Sequence, residues 1–134
     1  MLNRETIVSM FKELGFSKGS YALGTSGALV MFGIKEFAND LDIDCVPELY
    51  DSFRGKGYTE FIYTPSPEMS ANILNLSEDI QLIRQKNINF SEVIEIDGIS
   101  VYSVESVRKF KENLGREKDL ADIQLIDKYL DKVK

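Results

Sequence analysis

The sequence predicts an α/β fold of the α+β kind, a mixed β-sheet flanked by helices. Three observations predict it. Segments of helical periodicity and segments of two-residue alternation interleave along the first half of the chain. Asp97-Gly98, between two alternating runs, is a strong two-residue hairpin signal. The chain ends in two amphipathic stretches separated by Gly115. With 134 residues, 43% apolar and 28% charged, residues 1–134 are expected to form one domain with a real core.

The elements follow in order. Residues 4–14 place Ile7, Met10, Phe11 and Leu14 on one helical face, and Gly15 is a plausible stop. Tyr21-Ala22-Leu23 is a short strand, Gly24 to Gly27 a turn, and Ala28 to Ile34 a short buried helix. Leu41 to Val46 alternates as an acidic strand. Pro47 fits the start of a helix with Leu49, Tyr50 and Phe53 apolar, ended by Gly55 and Gly57. Tyr58 to Tyr63 alternates as a strand, and Pro65 and Pro67 mark a loop. Residues 71–76 and 79–83 are weaker strand signals. Residues 93–96 and 99–102 flank the hairpin turn. Ser103 can cap a helix in which Val104, Val107, Phe110 and Leu114 share a side. A last helix from about Arg116 to Lys132 carries Ile123, Ile126, Leu130 and Val133.

Composition narrows the function. The net charge is −6, which argues against an extended nucleic-acid surface. No apolar run approaches a membrane span, and the first residues lack the apolar core of a signal peptide. The one cysteine, Cys45, has no internal disulfide partner, and the expected location is cytoplasmic. The absence of histidine excludes histidine triads and histidine zinc sites.

Asp40-Leu41-Asp42-Ile43-Asp44 is the most informative stretch. Alternation puts three carboxylates on one face and Leu41 and Ile43 on the other. Such a row needs a counterion, and hard oxygen ligands suit Mg²⁺. In a two-ion site, carboxylates two residues apart on a strand can share the ions with phosphate oxygens. The same row would also serve as the solvated face of an edge strand. An EF-hand fits poorly, because Cys45 stands where its glycine belongs and Asp51 where its glutamate belongs.

Gly24-Thr25-Ser26-Gly27, about fifteen residues upstream, suits phosphate, with backbone amides and two hydroxyls. It is neither a P-loop nor G-x-G-x-x-G; an ordinary strand-to-helix turn has the same residues. Lys118 can meet a triphosphate as a point charge, or pair with Asp122 one helical turn on.

Taken together these segments resemble the nucleotidyltransferase superfamily, the DNA polymerase β-like group. Leu23-Gly24-Thr25 followed by Asp40-Leu41-Asp42-Ile43 resembles its Gly-Gly/Ser and Asp-x-Asp pattern, with Thr25 in place of the usual Gly or Ser. Ala28 to Gly33, Asn39 to Asp42, and Gly115-Arg116-Glu117-Lys118-Asp119 with Asp122-Ile123 resemble segments of small bacterial stand-alone and toxin–antitoxin members. The resemblance covers residues 3 to 130 or so, and implies a minimal nucleotidyltransferase fold with C-terminal helices.

It also implies a function: Mg²⁺-dependent transfer of a nucleoside monophosphate from an NTP to a hydroxyl acceptor, a small molecule or a protein, with a possible partner chain completing the cleft. Asp40 and Asp42, with Asp44 as an extra acid, would hold metal. Gly24, Thr25, Ser26, Gly27 and Lys118 would bind the nucleotide. The family's third carboxylate falls at Gln81, so Asp79 or Glu95 is the expected substitute. The alternative is a degenerate nucleotide-binding or regulatory protein, antitoxin-like, in which Gln81 marks weak catalysis.

Overall fold

The computed structural model describes residues 1–133. It is a mixed sheet flanked by five α-helices, an α+β fold. The helices are α1 (Arg4–Leu14), α2 (Thr25–Met31), α3 (Pro47–Phe53), α4 (Val104–Leu114) and α5 (Glu117–Lys132). The strands are β1 (Tyr21–Leu23), β2 (Leu41–Cys45), β3 (Thr59–Ser66), β4 (Met69–Asn75), β5 (Ile80–Arg84), β6 (Val93–Ile96) and β7 (Ile99–Tyr102). Their order across the sheet is β3-β4-β5-β2-β1-β7-β6. β2 pairs parallel with β5 and β1 parallel with β7, and the remaining pairs are antiparallel.

Local signals set most boundaries. Asn3 caps α1 by accepting from the Thr6 amide at 2.9 Å, and Gly15 closes it in the left-handed conformation. Ser103 caps α4 through the Ser106 amide at 3.2 Å. Asp97 and Gly98, with φ of 51° and 80°, make the hairpin between β6 and β7; both positive values are what a type I′ turn needs. The loop expected at Pro65 is instead the end of β3. Proline is tolerated there because β3 is an edge strand and its register shifts beyond Tyr63.

Two expectations need correction. α2 begins at Thr25 and not after Gly27, so most of the anticipated turn is the helix's first turn. In α4, Phe110 is 39% exposed whereas Lys111 is 4% exposed. Position 111 lies four residues beyond Val107, on the same inward stripe, and acidic side chains of α5 receive its charge.

The core lies on one sheet face. Leu23, Leu41, Ile43, Cys45, Leu74, Leu82 and Val101 are buried there. α2 packs on this face so closely that a Cβ at Gly27 would stand 2.9 Å from Leu23 Cδ1 and 3.1 Å from Leu41 Cδ2. α3 covers β2 and β5, α1 and α4 pack on α2, and α5 packs on α4. Asp42 and Asp44 therefore point to the opposite face. No described helix is long and apolar enough to cross a membrane.

Candidate active site

Asp42 stands at the centre of that opposite face. Its strand is buried on one side and half-buried on the other, in strict alternation from Leu41 to Cys45. Thr25 Oγ1 donates to Asp42 Oδ2 at 2.9 Å, tying the start of α2 to the strand. Thr25 has φ of 49°. That conformation favours glycine and is strained for a β-branched residue. Gly24 is pinned between strands: its amide donates to the Asp42 carbonyl at 3.0 Å, and a Cβ on it would lie 3.4 Å from the Tyr102 ring. Ser26 is half-buried and Gly27 buried, both in the first turn of α2.

Burial raises the Asp42 carboxyl above the usual carboxylate range. The Thr25 hydrogen bond opposes this, the charge of Asp40 adds to it, and the charges of Lys111 and Lys118 oppose it. Asp40 and Asp42 are thus close enough to repel each other. Asp40 precedes β2 and is half-buried.

Asp44 is differently placed. Tyr102 Oη donates to it at 2.6 Å and Gln85 Nε2 at 3.5 Å. Burial lifts its pKa to about 6, although both hydrogen bonds pull the other way. The tyrosine responds in kind: burial first, then the charge of Asp44, push the Tyr102 hydroxyl well above its ordinary range. Among the described residues, no three acidic or thiol side chains converge as a ready metal cage.

The remaining sequence candidates separate into two groups. Asp79 is exposed and immediately precedes the paired Leu41 and Ile80, with its carbonyl accepting from the Leu41 amide at 2.7 Å. It therefore sits beside Asp40. Gln81 is in register with Asp42 itself, and its amide donates to Asn75 Oδ1 at 3.1 Å. Glu95 is not brought to this cluster. It lies on β6, at the far edge of the sheet, paired with Lys18 at 3.0 Å. Three strand spacings separate it from β2, roughly 14 Å. Adjacency in sequence misleads here, because the strand that follows β5 in the chain joins the other edge.

Lys118 is exposed near the start of α5. The i, i+4 pair with Asp122 does not form; Asp122 is held instead by Lys111 at 2.9 Å and by Lys35 at 3.2 Å. Arg116 carries Asp119 at 2.6 Å. That hydrogen bond chiefly raises its pKa, and the Tyr63 hydroxyl and Asp42 add to the effect. Sequence reasoning gave no role to Lys111, Arg116, Tyr102 or Gln85. Lys111 offered one signal, a lysine at an inward position of an amphipathic helix, and Arg116 stood in the Gly115–Asp119 segment already singled out; Tyr102 and Gln85 gave none.

The arrangement is a sheet face with two acids at its centre, a strained helix start on one side, and three cations, the buried Lys111 and the exposed Arg116 and Lys118, close enough for their charges to act with Asp42. Two surface depressions elsewhere, one beside Val30 and Lys35 and one beside Leu14 and Phe53, do not include it.

No protein-family model matches the sequence, and no curated protein is similar to it. Solved structures are similar in fold. A candidate nucleotidyltransferase from Thermotoga maritima superposes with a TM-score of 0.61 at 16% identity, covering 98% of this chain and 96% of the other. The Megavirus polyadenylate synthase gives 0.55 at 13% identity, covering 96% of this chain and 35% of the synthase, so this chain spans about a third of that enzyme. These likenesses establish that the chain has the fold of nucleotidyltransferase-like structures.

Proposed function

We propose that this chain is a cytoplasmic nucleotidyltransferase, working as one domain over residues 1–134, which moves a nucleoside monophosphate from an NTP to a hydroxyl and releases pyrophosphate. The observation that carries this reading is the site around Asp42: two mutually repelling carboxylates, a helix start hydrogen-bonded to one of them, and cations acting on the same carboxylate.

The donor set fits Mg²⁺. This ion is commonly held by one or two carboxylates together with substrate phosphates, and Asp40 and Asp42 supply two that lack a compensating ion pair among the described residues. They would hold the metal, with Asp44 a weaker contributor because Tyr102 and Gln85 already occupy it. Bound there, Mg²⁺ would offset phosphate charge and make the acceptor hydroxyl more acidic. The β and γ phosphates bind at the start of α2, to the Thr25, Ser26 and Gly27 amides and the Ser26 hydroxyl; Gly24, whose amide already donates to the Asp42 carbonyl, serves by leaving no side chain in the way. Lys118 neutralises the triphosphate, and Thr25 fixes the Asp42 rotamer. Asp79, beside Asp40, is the available proton acceptor for the attacking hydroxyl. Glu95 is too distant to share that role.

The test is calorimetric titration of each NTP, with and without Mg²⁺, into the wild type, Asp40→Asn and Asp42→Asn. Metal-dependent binding that drops at least tenfold in both variants is the expected result. Equal binding in wild type and variants would remove these aspartates from the site.

One observation favours a second reading. Gln81 lies in register with Asp42, where a third acid is expected, and an amide neither takes a proton nor carries charge. A nucleotide-binding regulatory protein, antitoxin-like and completed by a partner chain, would bind NTP without turnover. Retained binding with no transfer to any acceptor, even after Gln81→Asp, would select it.

A further inference from the structure

The sheet face that bears Asp42 continues outward over β5, β4 and β3. From Asp42 one row runs in register through Gln81, Asn75 and Thr59. From Asp44 the next runs through Ile83, Ile73 and Phe61. None of these six side chains is charged. The first row is amides and a hydroxyl, with Gln81 and Asn75 already hydrogen-bonded to each other. The second is apolar and ends on Phe61, which is 37% exposed; Tyr63, two residues on and on the same face, is 44% exposed. Glu60, between Thr59 and Phe61, points to the other face, where Tyr50 and Arg54 hold it.

This inference rests on the nucleotidyltransferase reading. With the triphosphate on the β1–α2 side of Asp42, the acceptor reaches it from the β5 side. We propose that β5, β4 and β3 form the acceptor subsite, and that the acceptor is a small molecule of the nucleoside or nucleotide class. Its planar ring lies against Phe61 and Ile83, with the buried Ile73 beneath, a contact every nucleobase can make. The side-chain amides of Gln81 and Asn75, each with donors and an acceptor, meet the heterocycle's edge. A phosphate on the acceptor finds Arg116, whose side chain is 46% exposed. Past Asp42 and Asp44 the two rows hold no carboxylate for a polycationic acceptor such as an aminosugar. In the reaction the acceptor oxygen bonds to the α-phosphorus, and the bond from that phosphorus to the bridging oxygen breaks. The electron pair leaves with pyrophosphate, and the proton passes to Asp79, which is exposed and releases it to solvent.

The experiment incubates the full chain with Mg²⁺ and each NTP, adding the four nucleosides, their 5′-monophosphates, an aminosugar or a tyrosine peptide. Products are read by mass spectrometry, and acceptor binding by calorimetry against a non-transferable NTP analogue. The expected result is a nucleoside or nucleotide heavier by one nucleoside monophosphate. Phe61→Ala should weaken acceptor binding roughly five- to a hundredfold while NTP binding stays unchanged. Asn75→Ala, checked for folding by circular dichroism, tests the amide row independently.

Several outcomes overturn the proposal while the nucleotidyltransferase reading stands: NTP binding without nucleoside binding, transfer to the aminosugar or peptide instead, or a Phe61→Ala variant that merely dissociates a dimer in sedimentation. If no NTP binds at millimolar concentration, the parent reading falls and this one with it.

Discussion

Asp42 and Asp44 lie two residues apart on one strand face, and their neighbours give them different chemistry. Asp42 receives one hydroxyl, from Thr25, and shares its space with Asp40. Asp44 is held by Tyr102 and Gln85, and burial raises its pKa from 3.8 to about 6. The raised value fixes the sign of its contribution to stability. Between about pH 4 and 6 the folded chain holds a proton that the unfolded chain has lost, so stability falls as pH rises across that window. Above it, ionised Asp44 costs on the order of 3 kcal/mol. Asp44→Asn is therefore expected to stabilise the chain by about 1–3 kcal/mol at pH 7.5, with the gain gone below pH 4. The asparagine oxygen can still accept from Tyr102, and a flipped Gln85 amide can accept from its nitrogen. Urea midpoints at the two pH values check this; a loss of stability at both would contradict it. At this scale the aspartate row was legible from residue type and spacing alone, whereas the expected Gly24–Gly27 turn proved to be mostly the first turn of α2. Which aspartate a tyrosine sequesters was not, because Tyr102 comes 58 residues later.

The joint between α4 and α5 rests on buried charge. Lys111 meets Asp122 at 2.9 Å and Asp119 at 3.5 Å, and Arg116 and Lys35 complete the set. For Asp119, burial works against the charged form, but Arg116 and Lys111 outweigh it and hold the carboxyl below its usual range. This joint carries the turn that presents Arg116 and Lys118 to the site. Lys111→Met removes one partner and leaves two buried acids with one cation each. The expected cost is about 2–4 kcal/mol, at or below that of orphaning a buried pair outright, because Arg116 and Lys35 remain. Chemical denaturation measures it, and wild-type stability in the variant would show that the network contributes nothing net. The helices themselves were legible: periodicity marked both, and Gly115, with φ of 63°, separates them. The inward lysine was not, since its two acidic partners come from the next helix and only docking brings them together.

Across the whole molecule the net charge is −6, while Arg116 and Lys118 are exposed close enough to Asp42 for their charges to act with it. Local cations can meet a triphosphate, but no basic stripe extends along the sequence to follow a polynucleotide. A twenty-nucleotide single-stranded RNA is accordingly expected to bind no more tightly than a mononucleotide at low salt. A gel-shift titration tests this, and tight retardation with a steep salt dependence would refute it.

By itself the sequence determined the order of elements, the hairpin at Asp97-Gly98 and the acidic strand. These follow from local causes: periodicity, capping residues and backbone conformations that few residues adopt. Only the tertiary structure decided which strands are neighbours. Sending β6 to the edge opposite β3 put Glu95 beside Lys18 and away from Asp42, and the parallel pairing of β2 with β5 set Gln81 against Asp42 and Asp79 near Asp40. Strand order depends on contacts between residues far apart in the chain, which no local pattern encodes.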